Sequence, residues 1–317
     1  MKNNPLDDIV KCDISISNPE SSYDSFDNII LVCPEPSGEG IKEAGNTAEF
    51  STLEELAEYG FAETDAAYIA AGIAFNQDPA PEKLYLCIRK KASTEPDAEY
   101  EPIGTTLDRA DSEIGFYGFH LTSFTEAEDV QAAVKWAEEH EKLYGFEYAD
   151  IDSCPVTEFG YYRSFGIYSG NADGYGAESQ PEENKYAALA LMAKCFGYES
   201  GSETWHLKTL EDIVPSRIGS TEKSELSEKN INTFLRYAGS NVTVGGYTLA
   251  GEWIDVIRFR DWLKKEMQER VFKVIKENPK VPFTDAGIGL IEGAMEATLV
   301  EGQDVGGISP TEYDENN

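Results

Sequence analysis

The chain has 317 residues, enough to bury a sizeable core as one large domain or two, and its 41% apolar and 27% charged residues are ordinary for a globular protein. A net charge of −33 argues against a nucleic-acid partner, because neutralising phosphates requires a basic face. No run approaches the roughly 18 apolar residues of a membrane span, so no direct membrane insertion is expected, and MKNNPLDDIV lacks the apolar core of a secretion signal.

Val10, Cys12, Ile14 and Ile16 alternate with polar residues, which predicts a strand with one apolar face. The polar stretch after it, Asn18–Ser25, has no periodicity. Such a strand is either an edge of its own sheet or an addition to a neighbour's sheet edge. Residues 1–27 therefore read as an arm and linker, and the core domain as 28–300.

Within the core, Asn28–Cys33 is a short apolar strand ended by Pro34 and Pro36. Ser51-x-x-Glu54 predicts a capping box opening a helix through Tyr59, with Gly60 closing it. Thr64–Asn76 reads as a second helix with Tyr68, Ala71 and Phe75 inward, and Lys83–Ile88 as the next strand. Lys91–Glu113 is polar and Pro-bearing and reads as a long loop. Gly115–Leu121 is a strand, and Thr125-x-x-Glu128 caps a helix expected to reach Tyr144, with Gly145 ending it. Strands at Phe146–Ile151 and Phe165–Tyr168 follow, then a helix over Asn184–Phe196 closed by Gly197. The alternation predicts an α/β fold with a mixed, largely parallel sheet and flanking helices.

After Ser220 a helix runs to about Lys229. Ile231–Tyr237 reads as a strand or as an extension of that helix. Gly245-Gly246 between Val242–Val244 and Tyr247–Leu249 predicts a tight hairpin, so that a small β-meander leads into the C-terminal helices.

The last major stretch, Gly251–Leu299, organises the rest. Phe259, Leu263, Met267, Val271 and Val274 recur at helical spacing and predict a buried stripe. Asn278-Pro279 stops this helix, and Thr284 is an N-cap for a second. Residues 252–280 hold eight Lys/Arg against six Asp/Glu, leaving 18 against 53 elsewhere. Residues 301–317 form an acidic, Gly-rich tail.

Residues able to carry chemistry are sparse. His120, His140 and His206 are not at ligand spacing, and His140 reads as part of a solvated helix face. The five cysteines Cys12, Cys33, Cys87, Cys154 and Cys195 form no CxxC and read as free thiols of a reducing cytoplasm. Gly38-Glu39-Gly40 and the Gly170–Gly176 segment read as loops, since neither offers a cation to a phosphate. The pairs Asp150/Asp152 and Asp111/Glu113 could hold a metal or act as acid and base, and a carboxylate or metal site near Asp150 or Asp173 defines the alternative of an α/β enzyme. The expectation is no catalytic set, no metal and no cofactor.

GEWIDVIRFRDWLKKEMQERVFKVI followed by NPKVPFTDAGIGLIEGAM resembles the C-terminal signature of contractile tail sheath proteins of phages and phage-like particles, and the similarity runs with gaps from Pro5 to about Leu299. The resemblance implies hexameric rings stacked around a tail tube, whose contraction drives the tube through a target envelope. It implies self-association, contacts with tube, baseplate and tail-terminator proteins, and a place in a virion tail or phage-like particle assembled in the host bacterial cytoplasm. Another tail component, a tube or baseplate protein, is a third reading after the sheath subunit and the enzyme. It makes Val10, Cys12, Ile14 and Ile16 an exchanged arm, and gives Lys264, Lys265, Lys273, Lys276 and Lys280 to a tube-facing helix surface. Relatives carry an inserted domain near 91–113, where this chain has only a loop, and continue into C-terminal arm strands that are absent here.

Overall fold

The computed structural model describes residues 26–38, 46–91, 98–175 and 181–309. The expected N-terminal arm, with Val10, Cys12, Ile14 and Ile16, lies outside the described residues, as do Glu39, Gly40 and Gly176.

Eight strands form one sheet: β1 (Ile29–Cys33), β2 (Thr47–Phe50), β3 (Leu84–Ile88), β4 (Gly118–Leu121), β5 (Leu143–Tyr148), β6 (Ser164–Tyr168), β7 (Asn232–Tyr237) and β8 (Ser240–Val244). Their order is β2-β3-β1-β4-β5-β6-β7-β8. The six inner strands are parallel, and β2 and β8 pair antiparallel at the two edges. Parallel strands need crossovers that cover both faces, and the side-chain period of two divides β1 accordingly. Ile29, Leu31 and Cys33 face one core, and Ile30 and Val32 the other. The first core is covered by α1 (Leu53–Glu58), α2 (Ala66–Phe75) and α5 (Ala187–Phe196). The second is covered by α3 (Ile103–Glu113), α4 (Ala127–Glu139) and α6 (Ser220–Glu228). A 3-10 turn, Glu182–Tyr186, leads into α5, all ten of whose residues are buried.

The fold is the expected largely parallel α/β sheet, with several boundaries moved. The cap of α1 is Thr52, whose Oγ1 accepts from Glu55 N, so the expected box at Ser51 is displaced by one residue. The stretch 91–113 is not all loop. Pro102, with its fixed φ, starts α3, whose Ile103, Leu107 and Ala110 are buried. Helix α4 ends at Glu139, not Tyr144: Tyr144 and Gly145 belong to β5, where Gly145 leaves room for the Phe165 ring and Ala188. Edge strand β2, only four residues long, was not among the expected strands.

Gly245-Gly246 is not the hairpin turn. The turn is Ala238-Gly239, both at positive φ (48° and 89°), and it joins β7 to β8. Gly245 and Gly246, at φ 117° and 105°, take the chain out of the sheet, and Tyr247–Leu249 forms no strand. Asn232, 1% exposed, holds this exit: its Oδ1 accepts from Gly246 N and Tyr247 N, and its Nδ2 donates to Gly166 O and Tyr247 O.

Candidate functional site: the C-terminal helical hairpin

Helix α7 (Ile254–Glu277) and helix α8 (Asp285–Asp304) form an antiparallel hairpin. Asp255 in the first turn and Lys276 in the last suit the helix dipole of α7. Asn278 leaves the helical region at ψ 130°, as the following proline demands, and Thr284 Oγ1 accepts from Gly287 N to cap α8.

The hairpin is anchored at one end. Ile254, Ile257, Arg258 and Asp261 are the buried residues of α7, all within its first turns. Arg258, 0% exposed, donates through Nη1 to Glu203 Oε1 at 2.6 Å, Tyr198 O at 3.1 Å and Cys195 O at 3.2 Å, and through Nη2 to Asp27 Oδ1 at 2.7 Å. Its guanidinium also lies 4.8 Å from the Phe196 ring centre. One turn on, Asp261 accepts from Arg163 Nη1 at 2.5 Å, Arg163 Nη2 at 2.9 Å and the Tyr117 hydroxyl at 2.9 Å. Burial, with the Asp261 charge second, pushes the Tyr117 phenol well up, so it stays a proton donor to that carboxylate. Phe259 fits between Gly201, Gly302 and Gly307; a Cβ at Gly302 would stand 3.1 Å from its ring.

Beyond this root the hairpin is much less covered. The expected stripe, Phe259, Leu263, Met267, Val271 and Val274, is only half-buried: beyond Phe259, which also meets Gly201 of the body, α7 packs chiefly on α8 among the helices. Phe272, Ile275, Phe283, Ile288, Leu290, Met295 and Val300 are exposed, Phe283 completely. Met267, Val271, Phe272, Ile275 and Met295 line an apolar trough of about 380 Å³. Large apolar side chains exposed together make this face a candidate interaction site.

The five lysines divide into two groups. Lys264 is half exposed and bonds both Glu141 oxygens at 2.8 Å. Lys265, expected to face solvent, is only 19% exposed by side chain; it pairs with Glu269 and stands 5.5 Å from the Phe26 ring centre. Lys273, Lys276 and Lys280 are exposed near the tip. Along α7 Arg270 pairs with Glu266 and also bonds Glu301 of α8, and Lys273 pairs with Glu277.

The other chemical candidates are engaged structurally. Asp150 is fully exposed and accepts from Ser153 Oγ and Asp152 N within its own turn. Asp111 pairs with Lys142, and Glu113 accepts from Thr47. His120 is buried against Glu147, whose carboxylate also accepts from Ala188 N at the start of α5. His140 is not simply solvated: it stacks on Trp136 at 4.2 Å. Burial raises the thiols of Cys33, Cys154 and Cys195, and that of Cys87 to about 11, which makes them poor nucleophiles. Among the described residues no group of three or more metal-capable side chains is found. No described helix is long and apolar enough to cross a membrane. The anchoring set Arg258, Asp261, Arg163, Tyr117 and Glu203 was not expected; its only signal was charge at two positions of α7 adjoining Ile254 and Ile257.

Residues 254–316, which include this hairpin, match the model of the family described as E217 tail sheath protein gp31-like, C-terminal domain. No curated protein matches the chain. Three solved structures are similar over most of its length. A chain of the anti-feeding prophage baseplate superposes with TM-score 0.67 at 15% identity, over 91% of this chain and 80% of that one. A chain of the contracted sheath complex of the PVC extracellular contractile injection system gives 0.55 at 13%, over 92% and 80%. The sheath tail protein of Desulfitobacterium hafniense gives 0.62 at 10%, over 96% and 91%. These three likenesses establish the fold, and the match over residues 254–316 makes the C-terminal hairpin similar to the C-terminal domain of that tail sheath family.

Proposed function

We propose that the protein is a structural subunit that polymerises as hexameric rings around a tail tube and contracts to drive the tube through a target envelope. The observation that carries this reading is the hairpin: two antiparallel helices, fastened to the body by buried charge pairs, whose outer part exposes large apolar side chains. Many weak contacts of such surfaces, repeated along a polymer, hold firmly while each remains breakable. Partners on this reading are further copies of the chain, the tube, and baseplate and tail-terminator proteins, in a virion tail or phage-like particle assembled in the bacterial cytoplasm. Val10, Cys12, Ile14 and Ile16 supply a strand to a neighbour's sheet. Lys273, Lys276 and Lys280 meet the tube, whereas Lys264 and Lys265 brace the root. The work of contraction comes from the assembly and not from a catalytic site.

Negative-stain images of the purified protein, alone and with its tube protein, test this. Rings or regular tubes are expected. A chain that stays monomeric at every concentration and ignores the tube overturns the reading. Within the assembly, Lys273→Glu with Lys276→Glu should leave the fold intact and weaken tube co-assembly, most at low salt where the reversed charges are least screened.

A further inference from the structure

The loop that follows β6 holds no cation of its own, but the fold brings three to it. Arg217, Lys223 and Arg236 line, with Asp173, a cavity of about 620 Å³ beyond the ends of β6 and β7. Ligands of parallel α/β sheets bind in this position, outside the carboxyl ends of the strands. Ser216, also in the lining, bridges Ala172 on one side and Leu235 on the other, and its N–H donates to Phe234 O at 2.8 Å. It is 5% exposed, yet its hydroxyl has no partner among the described residues. A buried hydroxyl left unpaired is costly, and an acceptor entering the cavity would relieve that cost. Gly219 and Ser220, the cap and first residue of the nine-residue α6, complete the lining. The start of a helix presents N–H groups without intrahelical acceptors and the positive end of its dipole.

We propose that this cavity binds a phosphate group, free or carried by a small phosphomonoester. It shares no lining residue with the helical hairpin, and the inference does not depend on the reading of the chain as a polymer subunit. Charge favours a doubly charged ligand. Three cations against Asp173 give the lining +2 in a chain of −33, and a phosphomonoester carries about −1.5 to −2 at neutral pH. Arg217 is shared with Asp173 at 3.2 Å, and the Lys223 ammonium lies 4.8 Å from the Tyr237 ring centre. Arg236 is exposed and makes no ion pair among the described residues. Glu222 stands beside the cavity, but its Oε2 accepts from Gly219 N at 2.6 Å, and with its charge counted the surroundings remain basic. Phosphate has enough acceptor oxygens to take the Ser216 hydroxyl and charge-assisted bonds from guanidinium and ammonium together. The cavity is larger than a bare phosphate, and Tyr237, 41% exposed, borders it with a ring on which an organic group can pack. Elsewhere the acidic surface repels anions, which suppresses general adsorption.

Calorimetric titration and thermal shift of the full chain with inorganic phosphate and with phenyl phosphate, at constant ionic strength, test this. Saturable binding at one site per chain is expected. Tighter binding of phenyl phosphate assigns the site to a phosphomonoester, and equal or weaker binding assigns it to the free ion. Arg236→Gln should keep the ligand-free melting temperature and weaken binding roughly tenfold, as the loss of a charge-assisted hydrogen bond does. Ser216→Ala should weaken binding severalfold while preserving or raising the ligand-free melting temperature, because it removes an unpaired buried hydroxyl. A merely structural serine would do the reverse, losing stability and leaving the affinity as it was, and that result would overturn the proposal. Absence of saturation with both probes at millimolar concentration, in heat and in melting temperature alike, would also overturn it. So would binding that neither substitution weakens, since the anion would then sit elsewhere.

Discussion

Arg258 and Glu203, each with a fully buried side chain, meet at 2.6 Å and fasten the first turns of α7 to the segment that follows α5. Removing one member of a buried ion pair leaves a charge without compensation, which typically costs ~3–5 kcal/mol. Glu203→Gln should lose about 3 kcal/mol in urea unfolding, since Asp27 and two carbonyls still hold the guanidinium. Arg258→Met with Glu203→Leu should lose much less than the two single changes added. If the losses simply add, the pair is not coupled as the geometry requires.

Glu141 gives a pH dependence. Its hydrogen bonds from Lys264 are the main reason its carboxyl lies below the ordinary 4.5, with the Lys264, Arg163 and Arg260 charges helping and burial opposing. A carboxyl lowered in the folded state stabilises above its unfolded value, and that contribution is lost as pH falls through the folded value. Wild type should therefore lose more stability below pH 4.5 than Glu141→Gln does. Both partners are half exposed, so the effect should stay within the ~0.2–1 kcal/mol of screened pairs. Unfolding midpoints measured from neutral pH downward check this; parallel curves for the two proteins would refute it.

Asn232 ties the exit from β8 to β6 with four hydrogen bonds. Asn232→Ala leaves several buried backbone groups unpaired and should cost about 2–4 kcal/mol. Asn232→Asp should do no better, because its oxygens would face the Gly166 and Tyr247 carbonyls that Nδ2 now satisfies. Chemical denaturation measures both. A cost below 1 kcal/mol for Asn232→Ala would show that water readily replaces the side chain.

Gly118 in β4 has no space for a Cβ, which would stand 2.6 Å from Met192 Sδ and 2.7 Å from the Phe196 ring. Gly118→Ala should destabilise by ~1–3 kcal/mol through overpacking. Shortening Met192 to Ala in the same chain should not restore full stability, since Phe196 still blocks the site. Thermal melts of the single and double variants distinguish these outcomes.

The strands that carry continuous apolar runs, such as Ile29–Cys33, were legible because burial on both faces leaves no polar position. The hairpin of α7 and α8 was legible through Asn278-Pro279 and Thr284, whose effects are local. Misreadings arose where tertiary contacts overrode a local signal. Tyr144 and Gly145 continue the residues of α4 without a break, yet they pair with Ser164 and Phe165 across the sheet. Gly245-Gly246 looks like a turn, but Asn232 had already claimed the backbone there. The stripe on α7 has the period of a buried face, and period cannot say whether its cover is a core or one other helix. At the site, the exposed tip lysines follow from helical spacing. The covering of Lys265 does not, because Phe26 lies far away in sequence.

The position of the anchors turns α7 into a lever. Arg258 and Asp261 are three residues apart, about 4.5 Å along the axis, while Glu277 lies about 24 Å beyond Asp261. A sideways load at the far end is thus multiplied about fivefold where the guanidinium and the carboxylate grip their partners, with Asp261 as fulcrum and Arg258 as the short arm. Cys195, Tyr198 and Glu203 take up the load on Arg258, and Arg163, just before β6, takes up that on Asp261. A displacement of the hairpin tip would therefore enter the body as torque on α5 and β6, whose residues are all buried, and not as bending of an exposed loop.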